Sequence, residues 1–130
     1  MAWESYNLDQ AAHDLVLKYK GTDALNQGYK MRMTVAYGLE RFWGEQLRLQ
    51  GSRGEQTKAD YWRDTWIALV GIMKKAGVNL PNDQVSPNDT KQIQAMADKL
   101  WNFDQQQRKV AIAVLTQLTE SMVWWTQRYK

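Results

Sequence analysis

The stretch Asp104–Lys130, DQQQRKVAIAVLTQLTESMVWWTQRYK, decides the fold. Ala111, Val114, Leu115, Leu118, Met122 and Trp125 recur in it at steps of three and four, which places them on one side of an α-helix. Asp104 precedes the periodic run and is the predicted N-cap. No segment elsewhere shows sustained alternation or a β-branched cluster bounded by hairpin signals, so the chain is read as all-α.

Working towards the N-terminus, Ile93, Met96, Ala97, Leu100 and Trp101 predict a fourth helix ending near Asn102-Phe103. Ser86-Pro87-Asn88-Asp89 predicts its start, with Ser86 capping and Pro87 in the first helical position. Residues 78–85, with Pro81 among Asn, Asp and Gln, read as a surface loop. A third helix carries Ala59, Trp62, Trp66, Leu69, Val70 and Met73 up to Gly77, opened by a capping-box-like pair, Thr57 and Asp60. Gly51-Ser52-Arg53-Gly54 is the clearest linker. The second segment, Asp23 to Leu49, reads as one long helix with a break expected near Gly28. The first helix, capped by Asn7, stacks Leu8, Ala11, Ala12, Leu15, Val16 and Tyr19 before Gly21. The expectation is one domain, residues 1–130, folded as a compact bundle of about five helices.

A chain of 130 residues with 44% hydrophobic and 12% aromatic residues can bury a sizeable core unaided. It has no cysteine, which excludes disulfides, thiolate metal sites and a cysteine nucleophile. The first residues, Met1-Ala2-Trp3-Glu4-Ser5, lack the pattern of a signal peptide and no run approaches a membrane span, so a cytoplasmic location is expected. Seventeen basic against fourteen acidic residues leave a charge of +3, a mild bias whose distribution matters more than its total.

Candidates for catalysis are few. His13 is the only histidine and fits a partly exposed helix-surface position. Asp60 and Asp64, one turn apart, are the best carboxylate pair for a divalent cation, although a solvated charged face, with Arg63 and Lys58 close by, is the better account of them. No metal-ligand or phosphate-loop motif occurs, so neither enzyme activity nor a cofactor is expected.

The binding signal is stronger. Lys30, Thr34, Tyr37, Arg41 and Arg48 recur at steps of three, four and seven along the second segment and would line one face of a single rod. Such a rod can follow a phosphate backbone while Tyr37 stacks on a base. Arg32 flanks the face, Arg53 extends it from the linker and Gly44 would permit close approach, while Glu40 and Glu45 offset part of the charge. A second signal is Trp124 beside Trp125: about 100° apart on a helix, both cannot join one buried stripe, so Trp124 is expected outside with Arg128 and Trp3 as an interface.

A five-helix layout, a basic second helix and the ending Met122-Val123-Trp124-Trp125-Thr126-Gln127-Arg128-Tyr129-Lys130 together resemble the small helical subunit of type III CRISPR effector complexes. The resemblance implies a non-catalytic subunit in antiviral defence that stacks with copies of itself along a ribonucleoprotein. It would contact single-stranded RNA or a guide-target duplex backbone through Lys30, Arg41 and Arg48. The acidic share, nearly equal to the basic one, departs from that pattern. The alternative is a helical protein-protein adaptor or inhibitor that docks a partner through exposed Trp residues.

Overall fold

The computed structural model describes the backbone of residues 2–129 and the side chains of residues 8–129. All its regular structure is helical: α1 (Ala2–Tyr19), α2 (Gln27–Thr34), α3 (Leu39–Gln50), α4 (Gln56–Lys75), α5 (Thr90–Trp101) and α6 (Gln105–Tyr129), with short 3-10 turns at Asp23–Asn26 and Val35–Tyr37. No strand occurs among the described residues.

Six helices stand where about five were expected because the second segment is divided twice: a 3-10 turn gives way to α2 at Gln27, beside Gly28 as expected, and a further break falls at Gly38. Gly38 has φ of 103° and ψ of 169°, a region open in practice only to glycine. A Cβ there would also meet Glu40 Oε1 at 2.8 Å. Gly28, by contrast, lies inside α2 against α6, where a Cβ would come to 3.5 Å from Thr126 Oγ1. It marks a close helix approach in the first turn of α2.

Several boundaries differ from their sequence signals. α1 begins at Ala2, so Asn7 lies within the helix instead of capping it. α4 begins at Gln56 after Glu55, with no side-chain cap, and Asp60 accepts from Gln56 Nε2 at 2.8 Å instead of completing a box with Thr57. α5 begins three residues past Pro87, where Asp89 Oδ1 accepts from Gln92 N at 3.1 Å, while Ser86 organises the preceding turn. Asp104 does cap α6, accepting from Gln107 N at 2.9 Å.

The core joins the stripes of all six helices. Trp62 and Trp66 of α4 are buried at its centre, with Phe42 of α3 at 4.9 Å and 6.4 Å between ring centroids. α1 packs most extensively on α6, α3 on α4 and α2 on α6. Trp101, expected on the buried side of α5, is 58% exposed at the helix end, while Leu100 beside it is fully buried.

Candidate functional site

α2, the C-terminal end of α3 and the start of α4 converge on the Gly51–Gly54 linker. This local fold follows from the linker's composition. Ser52 Oγ donates to Arg48 O at 3.2 Å, and Gly54 takes φ of 79°, which reverses the chain so that α4 starts beside the end of α3. Between them lies a groove of about 260 Å³ lined by Lys30 of α2, Arg48 of α3, Arg53 of the linker and Lys58 of α4.

Two paired carboxylates temper these four cations, and Asp23 acts on Lys58 at longer range. Glu45, with a side chain only 16% exposed, is 3.5 Å from Lys30 Nζ and also pairs with Arg48. Glu55 Oε2 is 2.9 Å from Lys58 Nζ, and this hydrogen bond is the main reason the Lys58 ammonium is held above the ordinary lysine range. Arg53 forms no ion pair among the described residues. The groove therefore keeps a surplus of positive charge, and the uncapped start of α4 adds free N–H groups and the positive end of a helix dipole. An anion of phosphate size meets both kinds of partner there.

The structure thus gathers Lys30, Arg48 and Arg53, and adds Lys58, which sequence reasoning set aside as a neighbour of Asp60. The other predicted contacts lie elsewhere, because Gly38 divides the expected rod. Arg32 is directed at α6, where its Nε and Nη2 donate to Glu120 Oε1 at 3.1 Å and 3.0 Å. It is a strut between helices. Arg41 shares a face of α3 with Arg48 but stacks on Tyr37, its guanidinium carbon 5.3 Å from the ring centroid. Tyr37 is 64% exposed, and Tyr29 and Met33, four residues apart on the same side of α2, are exposed with it. That apolar stripe was not foreseen. A Cβ on Gly44 would meet nothing within 4 Å, so the surface there is open.

At the expected interface Trp124 is exposed and packs edge-on against Trp125 at 4.7 Å. Trp125 is half-buried and donates to Asp9 Oδ1 at 3.0 Å. Arg128 is exposed, and Trp3 lies outside the residues whose side chains are described.

The candidate acid-base residues are occupied structurally. His13 Nε2 is 2.6 Å from the Tyr129 hydroxyl and Nδ1 is 3.1 Å from Asp14 Oδ1, which pins α1 to α6. Asp64 Oδ2 accepts from the Tyr19 hydroxyl at 2.5 Å and from Lys18 Nζ at 2.8 Å. Burial first, and then the bond to Asp64, push the Tyr19 phenol above its ordinary range. Asp60 and Asp64 line one shallow pocket with Lys18, Tyr19 and Arg63, and the Lys18 ammonium already stands against Asp64 there. Among the described residues no group of three or more His, Cys, Asp or Glu side chains could hold a metal ion. No helix is long and apolar enough to cross a membrane.

Comparison with protein-family models, with curated proteins and with solved structures finds no match.

Proposed function

We propose that this chain is a non-catalytic, RNA-contacting subunit of a multi-subunit ribonucleoprotein, the role implied by its resemblance to the small subunit of type III CRISPR effectors. The observation that carries the reading is the convergence of Lys30, Arg48, Arg53 and Lys58, from four segments, on one groove at the uncapped start of α4. Phosphate neutralisation sets the affinity, and the exposed Tyr29 and Tyr37 offer faces on which unpaired bases stack. Three or four phosphate contacts give a log-log salt slope of about −2 to −3 for a single strand. The test is fluorescence anisotropy with a labelled single-stranded RNA at several salt concentrations. Changing Lys30, Arg53 and Lys58 together to Ala should remove most of the binding and flatten the slope at unchanged thermal stability; equal binding by the variant ends this reading.

A second reading is favoured by the exposure of Trp124 and Trp101, both 58% accessible. Large aromatic surface of this kind suits the centre of a protein interface. Here the chain is an adaptor or inhibitor, and its association is insensitive to salt.

A further inference from the structure

α3 has two working sides. Arg48 and Ser52 face the cationic groove, whereas Trp43, Gln46 and Gln50, on the opposite side, line a second cavity of about 310 Å³ enclosed by α3, α4 and the loop 82–85. The loop wall is tied down at three points. Lys99 Nζ is 2.5 Å from Asp83 Oδ2, Trp66 Nε1 donates to Pro81 O at 3.3 Å, and Ser86 N donates to Gln92 Oε1 at 2.9 Å. These ties make the cavity a preformed feature of the fold, at the small end of the roughly 300–1,000 Å³ range of ligand pockets.

Its wall contains two polar side chains that the protein leaves unpartnered. Trp43 is 4% exposed and Gln46 is 7% exposed, and both line the cavity. The indole N–H groups of Trp62, Trp66 and Trp125 each have an acceptor. The Trp43 indole and the Gln46 amide have no hydrogen-bond partner among the described residues. Their polar atoms are not sealed off, since neither residue contributes to the fully buried side-chain atoms left without a hydrogen bond among the described residues, so they open onto the cavity. Their bonding capacity is therefore available to whatever enters the cavity.

The remaining lining narrows the ligand's chemistry. Gln50, Asn82 and Gln84 add three more amides, each presenting a donor pair and an acceptor, and Asp83 adds a carboxylate held by Lys99. Leu47, Ile67 and Val85 supply aliphatic walls, and the exposed Arg63 lies at the rim. Apolar walls with amides between them match a flat heteroaromatic ring, which has apolar faces and a hydrogen-bonding edge. A sugar would want an open aromatic face, and Trp43 is too deeply buried to give one. We infer that this cavity is a nucleobase site in which Gln46 reads the edge of the base, as a glutamine amide reads adenine bidentately. The base can arrive as a free nucleoside or on a strand. The site does not depend on the cationic groove, since the two lie on opposite sides of α3.

The test is a nuclear magnetic resonance titration of the full chain, following the Trp43 indole N–H and the Gln46 side-chain amide. Adenosine, guanosine, cytidine, uridine and a single-stranded oligonucleotide are added in turn, with glucose as control. A saturable shift of both signals is expected with at least one base. Gln46→Leu and Gln84→Ala should each weaken it about ten-fold. Gln84 is on an exposed loop, so its variant keeps the experiment decisive even where Gln46→Leu fails to fold. Shifts with free nucleosides identify a small-molecule ligand, and shifts with the oligonucleotide alone identify a strand-borne base. No shift with any of them at millimolar concentration, shifts unchanged in Gln84→Ala, or shifts with glucose alone overturn the inference. Nucleoside shifts that persist in a Lys30, Arg53 and Lys58 triple Ala variant unable to bind RNA would leave this site standing apart from the groove.

Discussion

The Glu45 carboxylate stands 3.5 Å from the Lys30 ammonium and so joins α3 to α2 across the cationic groove. It also pairs with Arg48, occupying the place that a phosphate would take between the two cations. Glu45→Gln should therefore tighten binding of single-stranded RNA several-fold at low salt, and steepen the salt slope by about 0.7 for each additional phosphate neutralised. Anisotropy titrations of both proteins across a salt series measure this. An affinity and slope identical to wild type would show that the cations act independently of Glu45.

Gly38→Ala should destabilise the fold by about 1–3 kcal/mol, since its backbone conformation is one that alanine adopts only under strain. Gly28→Ala is the informative partner. Its new methyl meets Thr126 at an ordinary contact distance, and replacing a glycine in the first turn of a helix stabilises by up to about 1 kcal/mol. Urea unfolding of the two variants should thus move in opposite directions; equal losses would place the helix break wrongly.

Tyr61 is fully buried and its hydroxyl has no hydrogen-bond partner, so burial pushes its phenol above the ordinary tyrosine range. The folded state then holds a proton that the unfolded chain releases above pH of about 10. Stability is intact below that pH and falls as pH rises beyond it, by up to about 1.4 kcal/mol per pH unit for such a group. Tyr61→Phe removes the orphaned hydroxyl, changing stability at neutral pH by no more than about 1 kcal/mol. It should also make the alkaline decline shallower. Denaturation midpoints from pH 7 to 11 give the comparison, and parallel curves would refute it.

Trp124→Ala should cost at most about 1 kcal/mol, since it removes only an exposed ring packed on Trp125. Trp62→Ala, which empties the core centre and strands Gln27, should cost about 3–5 kcal/mol. Co-elution with partner subunits should disappear in the Trp124 variant if the tryptophan face is the docking surface. Retained co-elution, with melting temperature unchanged, would reject the adaptor reading.

The helices were legible wherever a stripe was long and its cap local. The α6 stripe and Asp104 depend only on spacing and on one nearby acceptor, and both signals are complete within a few residues. Gly38 was misjudged because three glycines in one segment look alike in sequence. Only tertiary packing decides which of them takes a positive φ and which lies against α6. The candidate groove was half legible for the same reason. Lys30, Arg48 and Arg53 were named, but Lys58 joins them only because the linker folds α4 back beside α3. Arg32 was misassigned because its partner, Glu120, is 88 residues away. No spacing rule reports a contact of that separation.

The His13–Tyr129 bond spans 116 residues and belongs to the broadest helix contact in the molecule. Asp9 pairs with Trp125 just as His13 does with Tyr129, so α1 and α6 lie side by side in the same direction. During synthesis α1 leaves the ribosome well before its main neighbour, α6, although α4, which it meets through Lys18, Tyr19 and Asp64, emerges earlier. The shorter-range contacts of α3 with α4 can form earlier, so closure is ordered from the middle of the chain outward. Any truncation that removes α6 accordingly uncovers the broadest face of α1 and leaves it held by α4 alone among the long helices.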